Sequence, residues 1–427
     1  MSISQAKNNH FTSKQEYAYE CLTAGKNVFL TGDGGTGKSY VIQKFIRYCY
    51  NKNINIAITA PTGIAALNID GVTLHRTFGA PIGPIIEPIK SVSKNLRDID
   101  VVIIDEISMC RIDLFEFIIA QIIYVNKLRR KRGLKDIQIV VAGDFFQLPP
   151  VLVKEEKQIL NKYYKQDIGY GYAFQSKYWD VCNFVNIALD EIVRQSDEKF
   201  INALNLARKG RIKSIQYFTE NSSKREIKDA ILLCGTNKAV TEKNEAELAK
   251  LKSTPVEYEA IINGEVKESD KMTSDVLTLK IGARVMTLIN DPEDMFRNGS
   301  FGTIVKLNPG SVVVDLDDGG RVELGRYKWS IKGYNLNEDD GKKAKLEKTE
   351  IGSFEQLPLK LAYAITIHKS QGQTYDAVNL NPYCWDCGQL YVALSRCKYA
   401  NKLYLTQPIK ANFLKVSQEV LDFYKKL

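Results

Sequence analysis

A chain of 427 residues with 44% hydrophobic composition can bury more than one core, and its length suggests about two to four domains. It has no apolar run of roughly 18 or more residues and begins without the apolar core of a signal peptide or the arginine-rich pattern of a transit peptide, so the expectation is a protein of the cytoplasm or nucleoid with no membrane partner. The net charge of +9 permits a polyanionic partner without requiring one, and eight scattered cysteines suit reduced core thiols better than a disulfide framework.

In chain order, Ser13-Lys14-Gln15-Glu16 resembles a capping box. Ala18, Cys21 and Leu22 follow at helical spacing, with Gly25 as a stop. The segment from Phe29 to Phe45 then reads as a buried strand, a glycine-rich turn and a helix. From Gly32 to Ser39 its spacing is G-x-x-x-x-G-K-S, a phosphate cradle in which backbone N–H groups wrap the phosphates, Lys38 adds charge and the Ser39 hydroxyl ligates Mg²⁺. Gly34, Gly35 and Gly37 are expected to permit positive φ and close backbone approach, and Val41, Ile42, Phe45, Ile46 and Cys49 give the helix an apolar face.

Strand candidates recur at Val28–Thr31, Ile54–Thr59, Val101–Asp105 and Ile137–Ala142, separated by helical or loop segments, which argues for a parallel sheet with helices on its faces. Between Thr73 and Arg97 the pattern lapses into Gly and Pro, as in a small projecting element. Asp105 and Glu106 fall at the end of an apolar strand, where an open α/β sheet places its ligands; one would hold Mg²⁺ and its neighbour polarise water. The basic run Lys127, Arg129, Arg130, Lys131, Arg132 and Lys135 closes a helix, either as a solvated end or as a nucleic-acid contact. Gln147, in the loop after the next strand, is suited to sensing a γ-phosphate, although alone it is an ordinary amide in a turn.

A change of organisation follows Val185. Ile231–Cys234 reads as a buried strand before a polar helix from Lys238 to about Lys250, and Ala362–Ile367, Ala377–Leu380 and Leu403–Leu405 supply short apolar strands of a second α/β domain. From Val276 to Gly352 the period becomes two, with turn signals at Asn308-Pro309-Gly310 and Asp317-Asp318-Gly319-Gly320, which suggests a small antiparallel barrel inserted in that domain; Asn337–Lys348 reads as a solvated loop. The lone pair Cys384 and Cys387 has no matching half and is read as a loop. Arg194 and Arg396, each a surface residue if taken singly, are suited to neutralising charge on a transferred phosphoryl group.

The ordered set GDGGTGKS, TAPTGIAA, TLHRTFG, IIDEISM, GDFFQLPPV, LDEIVRQ, TIHKSQGQT and YVALSRCK, from Gln15 to Lys398, resembles the PIF-type helicases of superfamily I, which include the RecD-like and Dda-like enzymes. The resemblance implies two tandem RecA-like P-loop motor domains of α/β class with ATP and Mg²⁺ in the cleft. It places motor domain one at 1–72 and 98–185, a strand-separating wedge at 73–97, motor domain two at 186–275 and 353–427, and an SH3-like barrel at 276–352.

It also implies a 5′-to-3′ motor on single-stranded DNA that unwinds duplexes, forks and G-quadruplexes as a monomer. Residue by residue, Gly32, Gly34, Gly35, Thr36, Gly37, Lys38 and Ser39 would cradle phosphate, Ser39 and Asp105 the metal, and Glu106 would activate water. Gln147 would sense the γ-phosphate, Arg194 and Arg396 would be arginine fingers, Gln15 would read adenine, and Gly372 and Gln373 would lie near the nucleotide. Thr59, Pro61, Thr62, Thr366, His368, Lys369 and Ser370 would meet the DNA backbone, with His75 and Phe78 stacking on a base. Asp33 and Gly34 depart from the small residue and alanine common in the family's cradle, and Asp33 adds negative charge beside phosphate. Two other readings stay open: a nucleotide-switched nucleic-acid-binding ATPase that does not unwind, and a motor directed to RNA.

Overall fold

The computed structural model describes residues 11–427 except 63–64, 67–68, 88–91, 93, 192–196, 229, 265, 267–270, 294, 297, 318 and 338–344; for 94–95, 331–337 and 345–351 it describes the backbone alone. Two compact units form, Met1–Gly235 with Thr366–Leu427, and Thr236–Ile365.

In the first unit, short aliphatic runs become a six-stranded sheet of β1 (Val28–Gly32), β2 (Ile56–Ala60), β3 (Val72–Thr73), β4 (Val101–Ile104), β5 (Gln138–Ala142) and β6 (Val185–Leu189), in the order β3-β2-β4-β5-β1-β6. All neighbours are parallel; Val28 pairs with Val140 on one side and Val185 on the other. Because successive side chains alternate, Phe29, Val102, Ile104, Ile139 and Val141 enter one core while Val28, Leu30, Val101, Ile103, Val140 and Ala142 enter the other. Burial on both faces explains the apolar runs by which β1, β4 and β5 could be read. β6 lies at the sheet edge and buries only alternate residues, so the first sheet continues past the change of pattern at Val185.

The helices Ser13–Thr23 and Lys38–Asn51 cover one face, and the helix Ile112–Lys131 covers the other. The first helix begins one residue earlier than its capping box suggested. Thr12 is the cap, its hydroxyl accepting from the Gln15 N–H while Gln15 Oε1 accepts from the Thr12 N–H. Val41, Ile42, Phe45, Ile46 and Cys49 are buried as the periodicity required, and burying an aliphatic or aromatic side chain stabilises by roughly 1.5–3 kcal/mol.

The Thr73–Arg97 segment is less detached than its Gly and Pro content implied. Leu74, Phe78, Ala80, Ile85 and Leu96 all join the core beneath the helix Ile112–Lys131. Gln121 donates to the Phe78 carbonyl at 2.9 Å, the Ile85 N–H to Asp113 at 2.7 Å, and Arg111 to the Gly83 carbonyl at 2.6 Å. Ile82, 95% exposed, stands out of this packing. The basic run also divides. Arg129 is buried, pairs with Asp100 at 2.6 Å and donates to the carbonyls of Arg97, Ile99 and Lys135, whereas Arg130 pairs with Asp136 at the surface.

The same unit holds β7 (Ile231–Cys234), parallel to Val378–Leu380, which in turn pairs with Leu403–Leu405. The C-terminal helix Gln418–Tyr424 returns to the first core, where Phe423 stacks on Phe174 at 4.2 Å and approaches Phe29, Phe145 and Trp179. Cys384 is buried and Cys387 accepts from the Tyr170 hydroxyl, consistent with a loop.

The second unit opens with the polar helix Asn237–Lys250, braced by Lys243–Glu247 at 2.8 Å. A five-stranded antiparallel sheet follows, ordered Arg321–Gly325, Ser311–Leu316, Phe301–Asn308, Arg284–Thr287, Leu359–Leu361. Its alternation buries Val312, Val314, Leu316, Val322 and Leu324, the period of two read from sequence. The stretch Asn337–Lys348 is not simply a loop: a long hairpin pairs Tyr327–Asn337 with Lys345–Gln356, and 338–344 lie outside the described residues. Among the described residues no helix is long and apolar enough to cross a membrane.

Candidate functional site

The chain leaves β1 at Gly32 and enters its helix at Lys38, so the loop between them sits at the carboxyl end of a central strand. Gly32, Gly35 and Gly37 adopt φ of 145°, 91° and 85°, the left-handed region that favours glycine. Gly34 does not, and a Cβ there would make only ordinary contact with Tyr391, to whose hydroxyl its N–H donates at 2.9 Å. Lys38 Nζ folds back onto the loop carbonyls of Gly32 and Asp33, at 2.8 and 3.0 Å. Burial lowers the Lys38 pKa, opposed by Asp144 and Glu106.

Asp105 and Glu106 follow the end of β4, the strand between β2 and β5. Burial, then the neighbouring Glu106, pushes the Asp105 carboxyl up to about 7, and Asp105 Oδ1 accepts from the Glu106 N–H at 2.9 Å. Glu106 has a left-handed backbone, φ 51°, and its carboxylate accepts from Gln371 Nε2 at 3.0 Å.

A cleft of about 310 Å³ is lined by Gly34, Gly35, Gly37, Lys38, Ser39, Tyr40, Glu106, Gln147, Gly372 and Arg396. Residues at positions 34 and 396 therefore share one cavity. Arg396 is 2% exposed and donates to the carbonyls of Val392, Gln373 and Ser370 and to the Ser395 hydroxyl, at 2.8–3.3 Å. A larger groove, about 540 Å³, lies at the amino ends of β1, β5 and β6, beside Asn27, Gln138 and Val185. Parallel α/β sheets bind ligands at the carboxyl ends of their strands, so the smaller cleft is the candidate site.

The structure does not gather every expected residue. Gln15 is not among the cleft's lining residues; it is buried and donates to the Thr36 carbonyl at 3.0 Å, which ties it to the phosphate loop. Gln373 Oε1 accepts from the Tyr375 hydroxyl beside Arg396, and Arg194 lies outside the described residues.

Of the residues expected to meet a strand, Thr59 and Ser370 are buried and donate to the carbonyls of Ile103 and Ile367, each at 2.7 Å. Phe78, 2% exposed, is a core residue here rather than a ring open to a base. Thr366 caps the turn Ile367–Ser370, and the Thr62 hydroxyl accepts from the Ala65 N–H. Pro61, Thr62, His75, His368 and Lys369 keep part of their surface open, and burial lowers the pKa of both histidines and of Lys369.

Four residues with no role in the sequence reading belong to this site: Gln371 on Glu106, Tyr391 on Gly34, and Arg208 with Asp144 beside Asp33. Gln371, Tyr391 and Asp144 lie inside quoted motifs, which was the available signal. Arg208 lies outside all of them.

The sequence model of the PIF1-like helicase family matches residues 10–217, and that of the UvrD-like helicase C-terminal domain matches 361–405. The ATP-dependent DNA helicase Pif1 of Campylobacter jejuni is 33% identical, covering 95% of this chain and 96% of the relative; its Bdellovibrio bacteriovorus counterpart is also 33% identical, over 97% and 91%. The Bacteroides Pif1 helicase crystallised with ADP-AlF3 and ssDNA is similar at a TM-score of 0.82 and 31% identity, over 98% of this chain and 97% of that one. A parallel sheet of RecA-like α/β type, a phosphate loop at its ligand-binding edge and these similarities together mean that the chain belongs to the PIF1-like helicase family.

Proposed function

We propose that this chain is an ATP-driven DNA helicase that moves 5′ to 3′ along a single strand and opens duplexes, forks and G-quadruplexes as a monomer in the cytoplasm or nucleoid. One observation carries the reading: phosphate loop, Glu106, Gln147 and Arg396 line one cleft, a constellation suited to holding and hydrolysing a nucleoside triphosphate. Relatives named as ATP-dependent DNA helicases, and one crystallised with ADP-AlF3 and ssDNA, support it.

In this mechanism Lys38 exchanges the carbonyls of Gly32 and Asp33 for phosphate oxygens, and the loop N–H groups bind the same charge. Glu106, oriented by Gln371, takes a proton from the attacking water, and Gln147 positions that water against the terminal phosphate. Arg396 leaves the carbonyls of Ser370 and Gln373 to neutralise developing charge, with Arg194 as a second guanidinium.

Ser39 and Asp105 suit Mg²⁺. Their hydroxyl and carboxylate oxygens are the hard donors that such an ion would take from the protein. Mg²⁺ would supply charge neutralisation at the β- and γ-phosphates. A first motor domain at 1–72 with 98–185, continued through β6 to Leu189, a second at 190–275 with 353–427, a wedge at 73–97 and an SH3-like barrel at 276–352 whose sheet also takes in Leu359–Leu361 complete the proposed engine. The alternating burial of Ser311–Gly325 supports the barrel, and the exposed Ile82 gives the wedge an apolar tip.

ATP- and Mg²⁺-dependent unwinding of duplexes carrying either a 5′ or a 3′ single-stranded tail tests the proposal. Opening of the 5′-tailed substrate is expected. Activity confined to the 3′-tailed duplex refutes the polarity, and ATP hydrolysis with no strand displacement on any substrate refutes the motor.

A further inference from the structure

Asp33 puts a carboxylate inside a loop whose proposed ligand is itself a polyanion. Left uncompensated, such a charge several ångströms from a triphosphate would weaken binding by roughly tenfold or more in a partly buried site. The geometry around it supplies a compensating cation from an unexpected place.

Arg208 is the last residue of the helix Glu198–Arg208 and is only 8% exposed. Its Nη1 lies 2.8 Å from Asp33 Oδ1. Its other edge is fully engaged: Nε donates to Asp144 Oδ2 at 3.0 Å and Nη2 to Asp144 Oδ1 at 2.8 Å, a two-pronged grip on a wholly buried carboxylate. The guanidinium also lies 4.2 Å from the centre of the Phe146 ring and 5.4 Å from that of Tyr424. A guanidinium gripped along one edge and packed against a stacked pair of rings has little rotational freedom, so it works as a rigid strut whose remaining nitrogen meets the phosphate loop. The turn it grips is also the one that carries Gln147, whose N–H donates to the Asp144 carbonyl at 2.9 Å.

We propose that Arg208 is a positioning residue for nucleotide binding: it cancels the charge of Asp33 and draws that carboxylate off the phosphate path, setting the loop's affinity according to the ligand's charge. The inference rests on the nucleotide reading of the cleft. Arg208 acts through Asp33 and Asp144 and, unlike Arg396, is not among the residues that line the cleft, which separates it from an arginine finger. A purely structural strut would need only the Asp144 grip; the third contact, to the loop, is what a role in binding adds.

The test is titration of the full chain with ATP and ADP, read by displacement of a fluorescent nucleotide, for the wild type, R208Q, D33N and the double variant D33N/R208Q, with melting midpoints recorded alongside. R208Q should weaken ATP roughly tenfold and ADP by less, because an electrostatic effect scales with phosphate charge. D33N/R208Q carries the wild type's net charge around the loop and should recover ATP affinity to within about twofold of the wild type, as expected if Arg208 acts by offsetting Asp33. Equal losses for ATP and ADP, or a double variant as weak as R208Q, overturn the proposal. If R208Q does not fold because Asp144 is stranded, D33N alone decides. With Arg208 then facing one carboxylate instead of two, ATP should bind several-fold more tightly, and unchanged or weaker binding overturns it. K38A is run in parallel: a K38A variant that binds ATP as well as the wild type sinks the nucleotide reading itself, which distinguishes that failure from a failure of the coupling.

Discussion

Replacing Asp105 with asparagine removes the most strained ionisation in the candidate site while keeping its shape. An asparagine Oδ1 can still accept from the Glu106 N–H, so the turn after β4 keeps its hydrogen bond. A carboxylate that titrates near 4 in an unfolded chain and at about 7 in the folded one, raised by burial and then by Glu106, destabilises the charged folded state by at most about 4 kcal/mol. Solvent around this half-buried group and its sharing of charge with Glu106 reduce the expected figure to about 1–2 kcal/mol.

The sign follows from which state holds the proton more tightly. The folded state does, so this contribution favours folding most below about pH 4 and declines as pH rises toward 7. The nucleotide-free D105N protein should therefore melt about 2–4 °C higher than the wild type at pH 8, by a smaller margin at pH 5 and hardly at all below about pH 4, while losing Mg²⁺-dependent ATP hydrolysis. Thermal melts across pH 3.5–8.5 make the measurement. A difference that does not change with pH, or a variant that melts lower at pH 8, refutes the assigned cause.

K38A should abolish unwinding and weaken nucleotide binding, since Lys38 is the cationic side chain that the cleft presents from the phosphate loop; strand displacement at the wild-type rate would show the site is wrong. E106Q should retain nucleotide binding but lower the turnover number by ~10²–10⁴, the usual worth of a general base, as read in steady-state ATPase assays. R129A should cost about 1–3 kcal/mol in urea melts, because it removes a buried guanidinium that donates to the carbonyls of Arg97, Ile99 and Lys135 and pairs with the partly exposed Asp100, and should leave DNA affinity at a given salt concentration unchanged. If R129A instead weakens DNA binding in the intact fold, the buried arginine has a role beyond the core.

What the sequence determined by itself are features whose cause is local. The spacing Gly32 to Ser39 dictates a phosphate loop because glycines at 32, 35 and 37 take backbone angles that side chains resist, and the aliphatic runs in β1, β4 and β5 dictate strands buried on both faces. The alternation in Ser311–Gly325 likewise dictates one apolar sheet face. Tertiary structure decided what depends on long separations. No local pattern says that Phe423 belongs to the core around Phe29, that Gln371 grips Glu106, or that Tyr391 accepts from Gly34. The irregular segment after Thr73 and the basic run around Arg129 read as surface because they lack periodicity or carry charge, yet hydrogen bonds from Gln121, Arg111 and Arg129 anchor both to the body of the unit. Arg208 is the sharpest case. In sequence it is one basic residue at a helix end, and only the fold, by bringing Asp33, Asp144 and Phe146 around its guanidinium, gives that charge a partner and a purpose.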